Sequence, residues 1–100
     1  MDIADLKGNA SRASELLKVM ASQSRLMILC SILEGEKSVQ QLQGEVGLSQ
    51  SALSQQLAIL RGQKLVNTRR QAQSVYYSLA SEEAKTLIST LYQIYCAPDA

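Results

Sequence analysis

Two cysteines, Cys30 and Cys96, and a complete lack of histidine bound the chemistry open to this sequence. Zinc and copper sites are built on thiolate and imidazole ligands, so two separate thiols without imidazole lead us to expect neither a metal nor a cofactor. Catalysis would have to rest on scattered carboxylates, thiols and tyrosines with no recognisable pairing, so no catalytic residue is assigned and no enzyme is expected. In a reducing compartment a cysteine is by default a small buried hydrophobe or an incidental thiol, and Cys30 sits within an apolar stripe. Two thiols that met in space would instead support exchange chemistry. At this point both readings stand.

A second chemical feature is a helix-like run crowded with serine and glutamine, Leu48-Ser49-Gln50-Ser51-Ala52-Leu53-Ser54-Gln55-Gln56-Leu57. It opens an acid-free stretch. Residues 49–80 hold Arg61, Lys64, Arg69 and Arg70 and no acid, whereas residues 1–48 carry five basic against six acidic side chains and residues 81–100 one against three. A purely positive middle third suits a polyanion, because Lys and Arg release counterions when they meet phosphates. Charge alone leaves a solvated surface equally open.

These residues need elements to position them. Leu6, Ala10, Ala13, Leu17 and Met20 recur at helical spacing and predict a first helix over about 4–21. Ser22 or Ser24 can cap a second helix through Glu34, with Leu26, Leu29, Cys30 and Leu33 on one face and Gly35 as its stop. Ser38-Val39-Gln40-Gln41 has the spacing of a capping box and opens a short third helix ending near Gly47. Ser49 caps the fourth. The period then changes, and residues 65–70 and 74–80, separated by Gln71-Ala72-Gln73, read as two antiparallel strands. Ser81 with Glu82 and Glu83 opens a last helix to about Tyr95.

With 100 residues, no repeat and no linker, the chain is expected to form a single domain over 1–100, mainly α with an α+β order of four helices, two strands and a helix. The only proline, Pro98, lies in the tail. The longest near-apolar stretch, Leu26 to Leu33, is far shorter than the roughly 20 residues of a membrane span. The opening MDIADLKG has no basic region or apolar run of a secretory signal. A cytoplasmic protein with no membrane partner is expected.

On a helical wheel Leu53, Leu57 and Leu60 cluster on one side of the fourth helix, flanked by Ala52 and Ile59, while Ser51, Ser54, Gln55 and Ala58 cluster opposite. With the tight turn at Gly47-Leu48 this reads as a helix-turn-helix. Short outward side chains let the second helix lie deep in a major groove, where Gln can read adenine and Ser can bond phosphate or a base edge. The two strands place Arg69 and Arg70 near a hairpin tip, as a wing. The bland alternative is a small helical interaction domain whose fourth helix happens to be rich in serine.

Ser49-Gln50-Ser51, Leu53-Ser54-Gln55, Leu57, Leu60-Arg61, Leu65-Val66, Arg69-Arg70 and Val75-Tyr76-Tyr77-Ser78-Leu79 resemble the core of the ArsR/SmtB family of small dimeric bacterial repressors. With Arg25 to Leu33 and the last helix, the likeness covers nearly the whole chain. It implies a winged helix-turn-helix that meets double-stranded DNA through Ser49, Gln50, Ser51, Ser54, Gln55, Arg61, Arg69, Arg70 and Gln73. It implies a homodimer through the first and last helices, with Leu6, Ala10, Ala13 and Leu17 on one and Leu87, Ile88, Leu91, Tyr92 and Tyr95 on the other. Three positions depart from the family pattern: Gln56 where His is frequent, Lys64 where Gly is frequent, and Gln71-Ala72-Gln73 in place of a Glu-Gly-Arg wing tip. Gly62 then offers an earlier stop for the fourth helix.

Ile28-Leu29-Cys30, Tyr95-Cys96 and Ala72-Gln73 are further similar to the branch of the family that holds the biofilm growth-associated repressors and the HlyU-type regulators. That likeness implies a thiol pair, Cys30 and Cys96, that reactive sulfur species or an oxidant converts into a disulfide or polysulfide bridge. The last helix would fold back over the body and bring its end beside helix two, within the about 6 Å between α-carbons that a bridge prefers. Arg25, about one turn before Cys30, is the candidate for lowering its pKa. The expected function is a repressor of an inverted-repeat operator that lets go when the bridge forms. The alternatives are an activator that displaces another DNA-bound protein, and an interaction domain without thiol sensing.

Overall fold

The computed structural model describes residues 1–96; Pro98 lies outside them. Helix α1 (Ile3–Met20) is capped by Asp2, whose carboxylate accepts the N–H of Ala4. Ser22 caps α2 (Gln23–Ser31) by accepting the N–H of Arg25. This helix stops three residues short of Glu34, because Ile32 is anchored in the core and the chain there turns toward a short strand, β1 (Lys37–Ser38). That strand was not legible in the sequence.

Helix α3 (Val39–Val46) carries the capping box in full: Gln41 N–H donates to Ser38 Oγ and Ser38 N–H donates to Gln41 Oε1. Gly47 closes it at φ 79, donating its N–H to Gln43 O, in a left-handed conformation that a side chain resists. Helix α4 (Gln50–Gly62) begins at its Ser49 cap. Its end is a Schellman motif: Leu65 N–H reaches Leu60 O and Lys64 N–H reaches Arg61 O, with Lys64 itself at φ 61. Lys64 thus adopts the geometry a glycine would take more easily.

Strands β2 (Val66–Gln71) and β3 (Ser74–Leu79) pair from Val66↔Leu79 to Gln71↔Ser74. Gln71 belongs to the ladder, so the three-residue loop of the sequence reading shortens to Ala72-Gln73, with Ala72 at φ 55. Lys37 and Ser38 of β1 pair with Tyr77 and Tyr76, giving an antiparallel sheet of order β1-β3-β2. Helix α5 (Glu82–Tyr95) starts at Ser81, with Glu82 and Glu83 in its first turn against the positive helix end.

The core joins Ile28 and Leu29 of α2, Leu42 of α3, Leu53 and Leu60 of α4 and Ile88 of α5, all fully buried, with Tyr77 of β3 closing the sheet side. Ile88 therefore does not belong to a subunit contact as the resemblance implied. It points inward because α5 lays one flank on α2 and the sheet, and Leu87 and Leu91 are half-buried against that same core. By contrast α1 is exposed along nearly its whole length, with only Leu16, Val19 and Met20 drawn into the body.

Candidate nucleic-acid interface

Three residues, Gly47, Leu48 and Ser49, separate α3 from α4, and the positive φ of Gly47 lets the chain reverse within them. The core side of α4 is sealed by Leu53, Leu57 and Leu60. Ser51, Ser54, Gln55 and Ala58 are all exposed on its other side, together with Ser49 and Gln50 at the start. No acidic residue stands in the first turn, so the positive end of α4 is left for an anion. Ser49 Oγ is engaged as the cap, accepting Ala52 N–H at 3.2 Å. Gln56 is half-buried and turned toward α2, where its Oε1 accepts from Arg25 Nη1 at 3.0 Å.

Arg61 and Arg70 are exposed and make no ion pair among the described residues. Gln73 is exposed at the hairpin turn. Arg69 differs from the free wing arginine of the sequence reading. Its Nη2 and Nε donate to the two carboxylate oxygens of Glu36 at 2.6 and 3.2 Å, its Nη1 donates to Gln71 Oε1 at 2.6 Å, and its guanidinium lies 4.6 Å from the centre of the Tyr76 ring. The pairing of Arg69 with Tyr76 across the ladder fixes why: both stand on the outer face of the sheet, and β1 delivers Glu36 to that face from the far edge. The hydrogen bond from Arg69 holds the Glu36 carboxyl below the usual carboxylate range. The neighbouring residue Lys37 donates to both carboxylate oxygens of Glu45 on α3, at 2.6 and 2.7 Å.

Both thiols are free and exposed. Cys96 caps α5, donating its N–H to Tyr92 O. A cavity of about 390 Å³ opens beside Cys30, lined also by Glu36, Lys37 and by Tyr92 of α5. The Cys30 thiol is pushed above its ordinary pKa, first by partial burial and then by repulsion from the Cys96 thiolate. The cavity thus sets Tyr92, in the last turns of α5, beside Cys30 of α2. Arg25 does not serve Cys30: its Nε donates to Val19 O at 2.6 Å and its Nη1 to Gln56, so the guanidinium is turned away into the joint between helices.

The remaining sites lie on uncovered apolar faces. Ile3, Leu6 and Leu17 of α1 and Tyr92, Ile94 and Tyr95 of α5 are exposed large hydrophobics, and Ala10 and Ala13 are exposed between them. Ile3 and Ile94 escaped the sequence reading, though Ile3 stands one turn before Leu6 and Ile94 one turn after Leu91. Among the described residues no cluster of ligands suits a metal ion, and no helix is long and apolar enough to cross a membrane.

A turn-linked helix pair that leaves a face of hydroxyls and amides uncovered, backed by a basic hairpin, is the architecture of the winged helix-turn-helix transcription regulators. The profile described as "Bacterial regulatory protein, arsR family" matches residues 22–68. The chain is 49% identical over 96 residues to the transcriptional activator HlyU of Vibrio cholerae, covering 96% of this chain and 89% of that protein. The crystal structure of the transcriptional repressor BigR from Xylella fastidiosa superposes with a TM-score of 0.91 at 39% identity, covering 97% of this chain and 99% of that one. A more distant solved structure, the homodimeric winged helix-turn-helix domain Mb0332 from Mycobacterium bovis, gives a TM-score of 0.74 at 26% identity over 90% of this chain and 84% of that one. The chain belongs to the arsR family of bacterial regulatory proteins.

Proposed function

We propose that this regulator acts as a homodimeric, single-domain repressor whose grip on an inverted-repeat operator is switched by thiol chemistry between Cys30 and Cys96. Ser51, Ser54 and Gln55 read the major groove, the start of α4 and Arg61 meet phosphates, and the hairpin tip at Arg70 and Gln73 reaches the adjacent backbone. The exposed stripes on α1 and α5 are covered by a second copy, in keeping with the homodimeric relative. Free thiols fit a cytoplasmic setting.

The observation that supports the switch is that the only two thiols are both exposed, Cys30 on α2 beside a cavity lined by Tyr92 of α5 and Cys96 at the end of that same helix. With a peroxide, one thiolate attacks oxygen, the O–O bond breaks and hydroxide leaves, forming a sulfenic acid. The second thiolate attacks that sulfur and displaces hydroxide, forming the S–S bond. With a persulfide, the thiolate takes the outer sulfur and a thiolate leaves; the second cysteine then attacks and displaces hydrosulfide. Sulfur transfer repeated before closure leaves additional sulfur in the bridge.

Such a bridge ties α2 to α5 and moves the paired α4 helices off the spacing of about 34 Å that two half-sites require. The reduced and bridged states then differ in DNA affinity. The higher identity to an activator favours one second reading, in which the same DNA contacts displace another bound protein.

Intact mass spectrometry after peroxide or persulfide treatment, paired with mobility shifts, tests the reading. A loss of about 2 Da, or a gain in steps of about 32 Da, accompanied by weaker binding is expected. Cys30→Ser and Cys96→Ser should bind DNA and ignore both reagents. Unmodified thiols under both treatments would defeat the switch and leave DNA binding standing. Binding without a steep loss on added salt would defeat the phosphate contacts themselves.

A further inference from the structure

The four cations of the acid-free block are not equal. Arg69 presents the Nε–Nη2 edge of its guanidinium to Glu36, which occupies it with both carboxylate oxygens, and Nη1 is taken by Gln71. A phosphate is gripped bidentately by this same edge. Glu36 and a phosphate therefore compete for one set of donors.

The pair is built to open. Both side chains are about half exposed, with relative accessibilities of 48% and 40%, and exposed ion pairs of this type are weak and screened by salt. Glu36 lies in the turn between α2 and β1 with no other hydrogen-bond partner among the described residues. Arg69, by contrast, keeps a second support when Glu36 lets go, because the Tyr76 ring lies under its guanidinium. Release would leave the cation standing on the outer face of the wing instead of collapsing onto the body.

We propose that Glu36 is an internal stand-in for phosphate, a latch that keeps Arg69 out of DNA binding until a duplex displaces it. The inference rests on the DNA reading given above and adds to it a residue that the acid-free block could not reveal. Free protein then offers a duplex one cation fewer than its sequence suggests, which weakens its binding to DNA of any sequence. Removing the carboxylate should release that cation at no cost to the fold.

The test is a thermodynamic cycle on the full-length, reduced protein, using a labelled duplex of arbitrary sequence titrated across a salt series. Glu36→Gln and Glu36→Ala should bind several-fold more tightly than wild type at low salt. Their slope of log affinity against log salt should stay close to that of wild type, because Arg69 meets a phosphate in both complexes and only the cost of displacing Glu36 differs. Arg69→Gln should bind no more tightly than wild type, and Glu36→Gln/Arg69→Gln should match Arg69→Gln alone. A gain that persists in the Arg69→Gln background is general charge removal and overturns the latch. So does a Glu36 variant that binds no better than wild type while circular dichroism shows it folded. Wild-type protein that fails to bind any duplex would overturn the DNA reading and the latch together, an outcome separate from the other two.

Discussion

Arg25 Nη1 donates to Gln56 Oε1 at 3.0 Å while its Nε donates to Val19 O at 2.6 Å. One guanidinium thereby joins the end of α1, the start of α2 and the inner flank of α4, the helix proposed to face DNA. Hydrogen bonds from a charged donor contribute about 1.5–3 kcal/mol when partly buried, and the loss of Arg25 also leaves Val19 O and Gln56 without their partner. Arg25→Met should lower unfolding stability by about 1–3 kcal/mol, read from the urea midpoint at constant slope. Operator affinity of the folded variant should fall as well, because α4 loses its tether. Stability within about 0.5 kcal/mol of wild type would show that the joint is held by apolar contacts alone.

Lys64 offers the opposite prospect. It occupies the left-handed position of the Schellman motif that ends α4, at φ 61. That conformation costs an L-residue about 1–2 kcal/mol, and glycine escapes it at an unfolded-state penalty of about 0.5–1 kcal/mol. Lys64→Gly should raise stability by about 0.5–1 kcal/mol in thermal or urea unfolding. Since Lys64 is one of the four cations of the acid-free block, the same variant should bind DNA less well, so that stability and affinity move in opposite directions.

The local signals were legible because they depend on neighbours in sequence. Ser38 and Gln41 announce a capping box, Ser49 a cap, Gly47 a left-handed stop and Leu53, Leu57 and Leu60 an inward face, and each is where the pattern puts it. Features set by distant partners were hidden. Strand β1 is two residues long and exists only through Tyr76 and Tyr77, and Arg69 is claimed by Glu36 from across the sheet. Ile88 and Leu91 share a stripe in sequence, but only packing decides that Ile88 is sealed inside the protomer while Tyr95 stands in solvent. Periodicity assigns a face; it does not say what covers it.

Thiol reactivity carries a pH signature. The Cys30 pKa is raised, so its thiolate is scarcer at neutral pH than that of an ordinary cysteine. In Cys96→Ser, alkylation of Cys30 by iodoacetamide should rise about tenfold per pH unit below its pKa. The midpoint there should lie below that of Cys30 in the wild type, because the Cys96 thiolate no longer opposes ionisation, yet above the ordinary thiol range, because burial is the larger cause. The sign for stability follows: a raised folded-state pKa gives a contribution present below the unfolded thiol pKa and lost as pH rises through the folded value. An alkylation midpoint at or below the ordinary range would contradict the setting described for Cys30.

The exposed stripe of α5 predicts the assembly. Ile94 is 62% exposed, so Ile94→Glu should leave the protomer folded while placing a charge in the proposed subunit contact. Analytical ultracentrifugation should find the wild type dimeric and the variant shifted toward monomer, with a matching loss of affinity for an inverted repeat and a smaller loss for a half-site. A variant that stays fully dimeric would remove α5 from the interface.

Ser54 stands exposed at the middle of the side of α4 proposed to enter the major groove. An operator selected from a random duplex pool by the wild-type protein, then titrated by fluorescence anisotropy against Ser54→Glu, puts that surface to the test. At least about a hundredfold loss of specific affinity is expected, of the size reached when a carboxylate is pressed against groove and phosphate, with melting temperature and oligomeric state unchanged. Equal affinity of Ser54→Glu and wild type for that operator would contradict it.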